Sequence, residues 1–161
     1  MEILDFVDKN DNVIGATTRD GIYKKNLIHR IVHVMIFNNE GKIALQLRSN
    51  KVSYCPNHRS TTVGGHVQTG ESYEEAALRE YNEELWTESK IEKISKDYYE
   101  IEWDISKFLV TFKTIFNGPF YPDGKEVEKI DFFTIEEIEK MIKNGEKFHP
   151  ELLFLLNKYF L

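Results

Sequence analysis

The chain has 161 residues, 41% of them hydrophobic, 30% charged and 13% aromatic, with only 9 Gly and 4 Pro. A chain this rich in Phe, Tyr, Ile and Leu can bury enough apolar surface to offset its ordering entropy, so disorder is excluded and one compact domain over residues 1–161 is expected. The formal charge of −6 argues against a general electrostatic grip on nucleic-acid polymers or anionic lipid, although local basic groups or a metal still bring phosphates to an acidic protein. The lone cysteine, Cys55, excludes an intramolecular disulfide and points to a reducing compartment, with the cytoplasm as the default. No apolar run approaches the roughly 20 residues that cross a bilayer. The N-terminus MEILDFVDKNDN carries acids early and does not read as a signal peptide.

In chain order, Ile3 to Val7 and Val13 to Thr18, separated by the turn-rich KNDN, predict a terminal β-hairpin. DGIYKKN is a short helix or a loop. Arg30 to Phe37 is apolar on both faces and reads as an inner strand. It is expected to pair antiparallel, through the NNEGK turn, with Ile43 to Leu47, which alternates as IALQL. From Ser49 to Gly70 the composition shifts to Ser, Thr, Asn, Gly and His, which predicts a loop with special backbone geometry at Gly64-Gly65 and Gly70. SYEEAALREYNEEL carries Ala77, Tyr81 and Leu85 at four-residue spacing, with Leu78 broadening the stripe, and is the strongest helix signal. Strands follow at Ser95 to Trp103, Lys107 to Phe116 and Val127 to Phe133, with NGPFYPDGK as a turn-rich connection. Thr134 and Glu137 form a capping box for a helix closed by Gly145, and a last amphipathic helix starts near Pro150, with His149 at its head. The pattern is that of one α/β domain.

Glu80, Glu83 and Glu84 stand at i, i+3 and i+4, which places three carboxylates on one helix face. Like charges at that spacing repel, so the cluster requires free solvation or a cation. A hard divalent ion with oxygen ligands suits it, because magnesium commonly bridges carboxylates to substrate phosphates. Residues 71–84 contain six glutamates and one arginine, so nearly all of the chain's net negative charge is concentrated there. Arg79 follows Glu71 by about two helical turns, close enough to pair with it.

GHVQTGESYEEAALREYNEELWT resembles the box of the Nudix (MutT-like) hydrolases: Gly65, Glu71, Arg79, Glu80, Glu83 and Glu84 all fall in its register. The resemblance implies a Nudix-type α/β/α sandwich over most of the chain, with a mixed sheet and an N-terminal β-hairpin. It implies that Glu80, Glu83 and Glu84 bind magnesium or manganese, that Glu71 and Arg79 form an orienting salt bridge, and that a backbone carbonyl at the Gly64-Gly65 turn is a further ligand. Glu126, with Glu128 as fallback, resembles the carboxylate that family members add from a later loop. Glu83, Glu84 or Glu126 could then accept the proton of the attacking water. The box departs from the pattern at its end, where Trp86 replaces Gly and Thr87 an aliphatic residue, so the helix is expected to continue or exit differently. Tyr81 at an aliphatic position is a milder change.

The order NVIGATTRDGIYKKNLIHRIVHVMIF, LQLRSNK, VGGHVQTGES resembles the branch related to type 1 isopentenyl-diphosphate isomerase. In such isomerases a cysteine precedes the Gly-His pair, a later strand supplies an acidic residue, and histidines hold a second metal. Here Gly64 takes the cysteine place and ISKFLVTF offers no matching glutamate, while His29 and His66 are retained without a clear third ligand. Cys55 is a poor substitute and is expected to pack as a small hydrophobe, and His33 and His58 as packed or loop histidines. Arg48 and Lys51, with Arg59 nearby, could hold a substrate phosphate, and Tyr54 or Trp103 could stack on a base. The substrate implied is a small diphosphate, such as a nucleoside diphosphate derivative. The alternatives are a prenyl-diphosphate isomerase and a non-catalytic nucleotide- or diphosphate-binding module. Family members occur as monomers and dimers, so a homodimer is compatible with the chain.

Overall fold

The computed structural model describes residues 1–85, 90–101 and 105–161, apart from the side chains of Glu84 and Leu85. Trp86, Thr87 and Trp103 lie outside the described residues, and with them the expected course of the helix end and of the base-stacking tryptophan. The chain forms two compact units, Met1–Val34 with Val63–Lys113 and Met35–Thr62 with Thr114–Leu161.

The first unit opens with the hairpin β1 (Ile3–Val7) and β2 (Val13–Thr18), which pair antiparallel from Ile3 opposite Thr18. The Asp8 carboxylate closes its turn by accepting the amides of Asn10 and Asn12 at 2.8 and 3.0 Å. DGIYKKN resolves as the helix α1 (Arg19–Lys24), capped by Thr18, whose hydroxyl accepts the Gly21 amide at 3.1 Å. The strand β3 (His29–Phe37) begins in this unit and the helix α2 (Tyr73–Leu85) belongs to it. Ser72 and Glu75 cap α2 reciprocally, at 3.1 and 3.2 Å.

The expected loop from Ser49 to Gly70 contains two strands, β5 (Arg59–Thr61) in the second unit and β6 (Val63–His66) in the first. Segments of three and four residues rich in Gly, Ser and Thr are too short to carry a side-chain periodicity, and backbone pairing alone creates them. The glycine pair accordingly makes no turn. Gly64 and Gly65 lie opposite His33 and Val32 in β6, and neither has a positive φ. The unit's other strands, β7 (Glu92–Glu100) and β8 (Ser106–Ile115), pair antiparallel, with β7 starting earlier than Ser95.

In the second unit the end of β3 meets β4 (Ile43–Arg48), Phe37 opposite Ile43, across a turn in which Asn38 accepts the Glu40 and Lys42 amides at 3.0 and 2.9 Å. β4 pairs antiparallel with β5 and with β9 (Val127–Phe133). Its alternating sequence does not produce a wet face: Gln46 is buried, and its amide donates to the Thr61 and Thr62 carbonyls at 2.8 and 3.2 Å. The core here is Met35, Ile43, Leu45, Phe148 and residues from α3 (Ile135–Lys143) and α4 (Pro150–Tyr159), namely Ile138, Leu152 and Leu156. The Thr134–Glu137 capping box is present, and His149 caps α4 by accepting the Glu151 amide at 3.2 Å. Among the described residues no helix is long and apolar enough to cross a membrane.

One buried charge ties the first unit together. Asp11, at φ 64°, receives Arg30 Nε at 2.7 Å, Lys96 Nζ at 2.6 Å and the Tyr73 hydroxyl at 2.8 Å, with its side chain 6% exposed. The hairpin turn is thereby joined to β3, β7 and the start of α2. Burial alone would raise the Asp11 pKa, but the bonds from Lys96, Arg30 and Tyr73 together hold it below the usual carboxylate range. Burial and the Asp11 charge push the Tyr73 hydroxyl well up, so it remains a donor. Because the folded value is depressed, this group's contribution is present above the unfolded pKa and lost as pH falls through the folded one. Asp11→Ala is expected to cost about 3–5 kcal/mol at pH 7, since it leaves Arg30 without its buried partner. Urea unfolding is expected to show that loss shrinking towards pH 3.

Candidate active site

The carboxylate constellation lies in the first unit and is organised by one arginine. Arg79 Nε and Nη2 donate to the two Glu71 oxygens at 2.7 and 2.9 Å, and Nη2 also reaches the His66 carbonyl at 3.0 Å. Nη1 donates to Glu80 Oε1 at 2.9 Å and stands 3.8 Å from Glu83. Glu71 in turn accepts the Gln68 amide at 2.8 Å, which fixes the turn between β6 and α2. The guanidinium therefore fastens loop, strand and helix at once.

These contacts shift the charges in opposite directions. The Arg79 hydrogen bond holds the Glu71 carboxyl below its ordinary pKa, and the same bond raises the arginine's. Burial pushes Glu80 up, the Arg79 contacts oppose it, and the charges of Glu83 and Glu2 add to the rise. Glu83, with 61% of its side chain exposed, is the open member of the pair, whereas Glu80 is 15% exposed.

The Glu80 carboxylate is packed directly over Gly65, where any Cβ would overlap it. Gly65 is therefore needed for close approach and not for turning. Among the described residues no group of three or more His, Cys, Asp or Glu side chains is drawn into a metal-binding cluster. The donors still fit a hard divalent cation: the carboxylates of Glu80 and Glu83 and the backbone carbonyl of Gly64 offer oxygen only.

Two residues that sequence reasoning passed over belong here. Glu2 reaches the neighbourhood of Glu80 because β1 runs beside the 68–69 segment, with Leu4 bridged to Gln68 and the Thr69 amide donating to the Ile3 carbonyl at 2.9 Å. An open cleft of about 490 Å³, lined by Met1, Glu2, Ile3, Gln68 and Thr69, results. Tyr23 is the other. Its hydroxyl is hydrogen-bonded to His66 Nε2 at 2.8 Å, and the His66 ring stacks on His29 at 5.6 Å. No local pattern marks either residue, since both contacts arise from distant segments.

The second unit groups other candidates. The Ser49 amide donates to the Glu126 carbonyl at 2.9 Å, and Arg48 lies opposite Val127, so Arg48, Lys51 and Glu126 come to one end of β4 and β9. Glu126 and Glu128 are exposed. Arg48 already spends Nε and Nη2 on the Tyr54 carbonyl, at 3.1 and 2.9 Å. Tyr54 is 52% exposed, with its ring edge against His149. Arg59 does not join the surface charge: it is buried, paired with Glu146 at 2.8 Å, and lies over the Phe133 ring. Cys55 sits half-buried in the loop at φ 50° and is not a core residue. His58 is bonded to the Pro56 carbonyl, and His33 is buried.

A model of the NUDIX domain matches residues 27–156. The chain belongs to the Nudix family. It is 44% identical over 147 residues to an uncharacterized Nudix hydrolase of Streptomyces coelicolor, covering 90% of this chain and 81% of that one. It is 34% identical over 148 residues to a Photorhabdus laumondii protein named isopentenyl-diphosphate Delta-isomerase 2, with coverage of 89% and 84%. A crystal structure of a Deinococcus radiodurans protein superposes with a TM-score of 0.86 at 26% identity, covering 99% of this chain and 100% of that one. A Burkholderia pseudomallei MutT Nudix hydrolase shares the fold at a TM-score of 0.66 and 15% identity, over 82% of this chain and 98% of that one. The fold is thus the mixed α/β fold of Nudix proteins with an N-terminal hairpin, and the chain is a Nudix hydrolase. Gly65→Ala in this Nudix box is expected to push aside the Glu80 carboxylate, the end of a flexible side chain, and to lower stability by about 1 kcal/mol, read as a small drop in the urea midpoint.

Proposed function

We propose that the chain hydrolyses the diphosphate linkage of a nucleoside diphosphate derivative or another small diphosphate, dependent on magnesium or manganese. The Arg79 network carries this reading, because it fastens Glu71 in the turn before α2, holds Glu80 over Gly65 and leaves Glu83 exposed. Glu80, Glu83, Glu84 and the Gly64 carbonyl would hold the metal. When bound, the ion neutralises phosphate charge and lowers the pKa of water. Glu71 and Arg79 orient the helix, and Glu83 or Glu84 accepts the proton of the attacking water. Arg48 and Lys51 serve as anion contacts in the second unit, where Glu126 is the alternative proton acceptor.

The relative named as an isomerase makes isomerisation the second reading. Two observations count against it. Gly64 stands where the isomerases' cysteine is expected, and β8, SKFLVTFKTI, holds no acidic residue.

A magnesium-dependent screen of small diphosphates, scoring phosphate release and isomer formation together, is the test. Glu83→Gln and Glu84→Gln are each expected to lower kcat by about 10²–10⁴-fold. Hydrolysis indifferent to both substitutions would overturn the site. Isomer formation without hydrolysis would overturn the reaction, and tight binding without turnover would mark a binding module. Arg48→Ala is expected to raise KM about tenfold with kcat little changed, as for loss of one charge-assisted contact to bound substrate.

A further inference from the structure

The strand that carries Gly64 is held from both faces. In an antiparallel pair, opposed residues share a face and neighbours alternate. Gly65 lies opposite Val32 and His66 opposite Ile31, so their side-chain directions are opposite. On the Gly65 face stands α2, with Glu80 packed on the glycine and Arg79 bonded to the His66 carbonyl at 3.0 Å. On the His66 face stands α1. There the Tyr23 hydroxyl is hydrogen-bonded to His66 Nε2 at 2.8 Å, and the Tyr23 ring sets its edge against both imidazoles, 5.3 Å from His29 and 6.0 Å from His66. His29 is fully buried, stacks on His66 at 18° between ring planes, and is bonded through Nδ1 to the Leu27 carbonyl at 3.1 Å. The Arg19 guanidinium lies 5.9 Å from the centre of the Tyr23 ring.

We propose that Tyr23 is a positioning residue for the metal-binding strand: its hydroxyl, acting through His66, fixes the Gly64–His66 backbone from the face opposite the carboxylate helix. The inference rests on the reading that the Gly64 carbonyl and Glu80 hold the metal. Nothing in the box motif assigns this role, because Tyr23 lies far upstream of the box, on α1. Partners that fix a metal-binding group at one remove commonly control affinity by 10–100-fold. Arg79 supplies such a restraint on one face of β6, and Tyr23 supplies it on the other.

Tyr23→Phe tests the role, since it removes the hydroxyl and keeps the ring against His29 and His66. Mn²⁺ binding to the metal-free protein, followed by titration calorimetry, is expected to weaken about tenfold, with the protein still folding cooperatively and only a small drop in the urea midpoint. The kcat measured at saturating Mn²⁺ is expected to return close to that of the unsubstituted protein. Unchanged Mn²⁺ affinity in a folded Tyr23→Phe protein overturns the proposal. In a His66→Asn background, Tyr23→Phe is expected to add nothing, and a further tenfold loss there would also overturn it by showing a route that bypasses His66. Glu83→Gln separates the two levels. Mn²⁺ affinity indifferent to Glu83→Gln defeats the metal reading itself, whereas loss of affinity with Glu83→Gln and none with Tyr23→Phe defeats only the positioning role.

Discussion

The carboxylate end of this fold depends on the fork of Arg79. Three segments distant in sequence meet there: the turn bearing Glu71, the strand end at His66, and the helix bearing Glu80 and Glu83. A lysine could satisfy one of these partners as a point charge. Only a planar group with several N–H donors in fixed directions spans all three. The same group restrains the electrostatics. Burial works against ionised Glu80, and the adjacent guanidinium offsets part of that cost.

The first unit uses this device a second time at Asp11, with the signs reversed. At Arg79 one cation organises several carboxylates, and at Asp11 one carboxylate collects two cations and a hydroxyl. Both sites are networks in which no buried charge stands alone, the condition under which buried ions do not destabilise a fold. Between them they join the hairpin to α2 and α2 to β6. The second unit relies on apolar packing of α3 and α4 against β4, with Arg59 and Glu146 as a supporting pair.

Helices and long strands were legible because each carries its own signal: the capping box at Thr134 and Glu137, the stripe of Ala77 and Tyr81, the β-branched hairpin. The spacing of Arg79, Glu80, Glu83 and Glu84 was legible too, since fixed separations on one helix need no tertiary knowledge. What the chain concealed was set by pairing. β5 and β6 consist of polar and small residues whose strand character comes wholly from neighbours, so they read as loop. Gly65 was singled out for turning when its task is to let Glu80 approach. Arg59 looked like surface charge because nothing local discloses Glu146, a distant partner. Tyr23 and Glu2 were silent for the same reason, and the alternation of IALQL misled because Gln46 finds carbonyls inside.

Arg48 has a further consequence. Its Nε and Nη2 are both engaged by the Tyr54 carbonyl, and a donor committed in this way is not simply added to an incoming anion. Any phosphate that takes those hydrogens must displace a carbonyl, so the bond count is conserved and the gain is the difference between a charged and a neutral acceptor. The segment from Tyr54 to His58 keeps its backbone ties to this residue in either case, since the Arg48 amide donates to the His58 carbonyl at 2.9 Å and the Asn57 amide to the Arg48 carbonyl at 3.1 Å. A guanidinium carries five N–H donors and the Tyr54 carbonyl takes two of them, so a second acceptor on Arg48 and the seated segment are compatible, with the backbone as the common anchor.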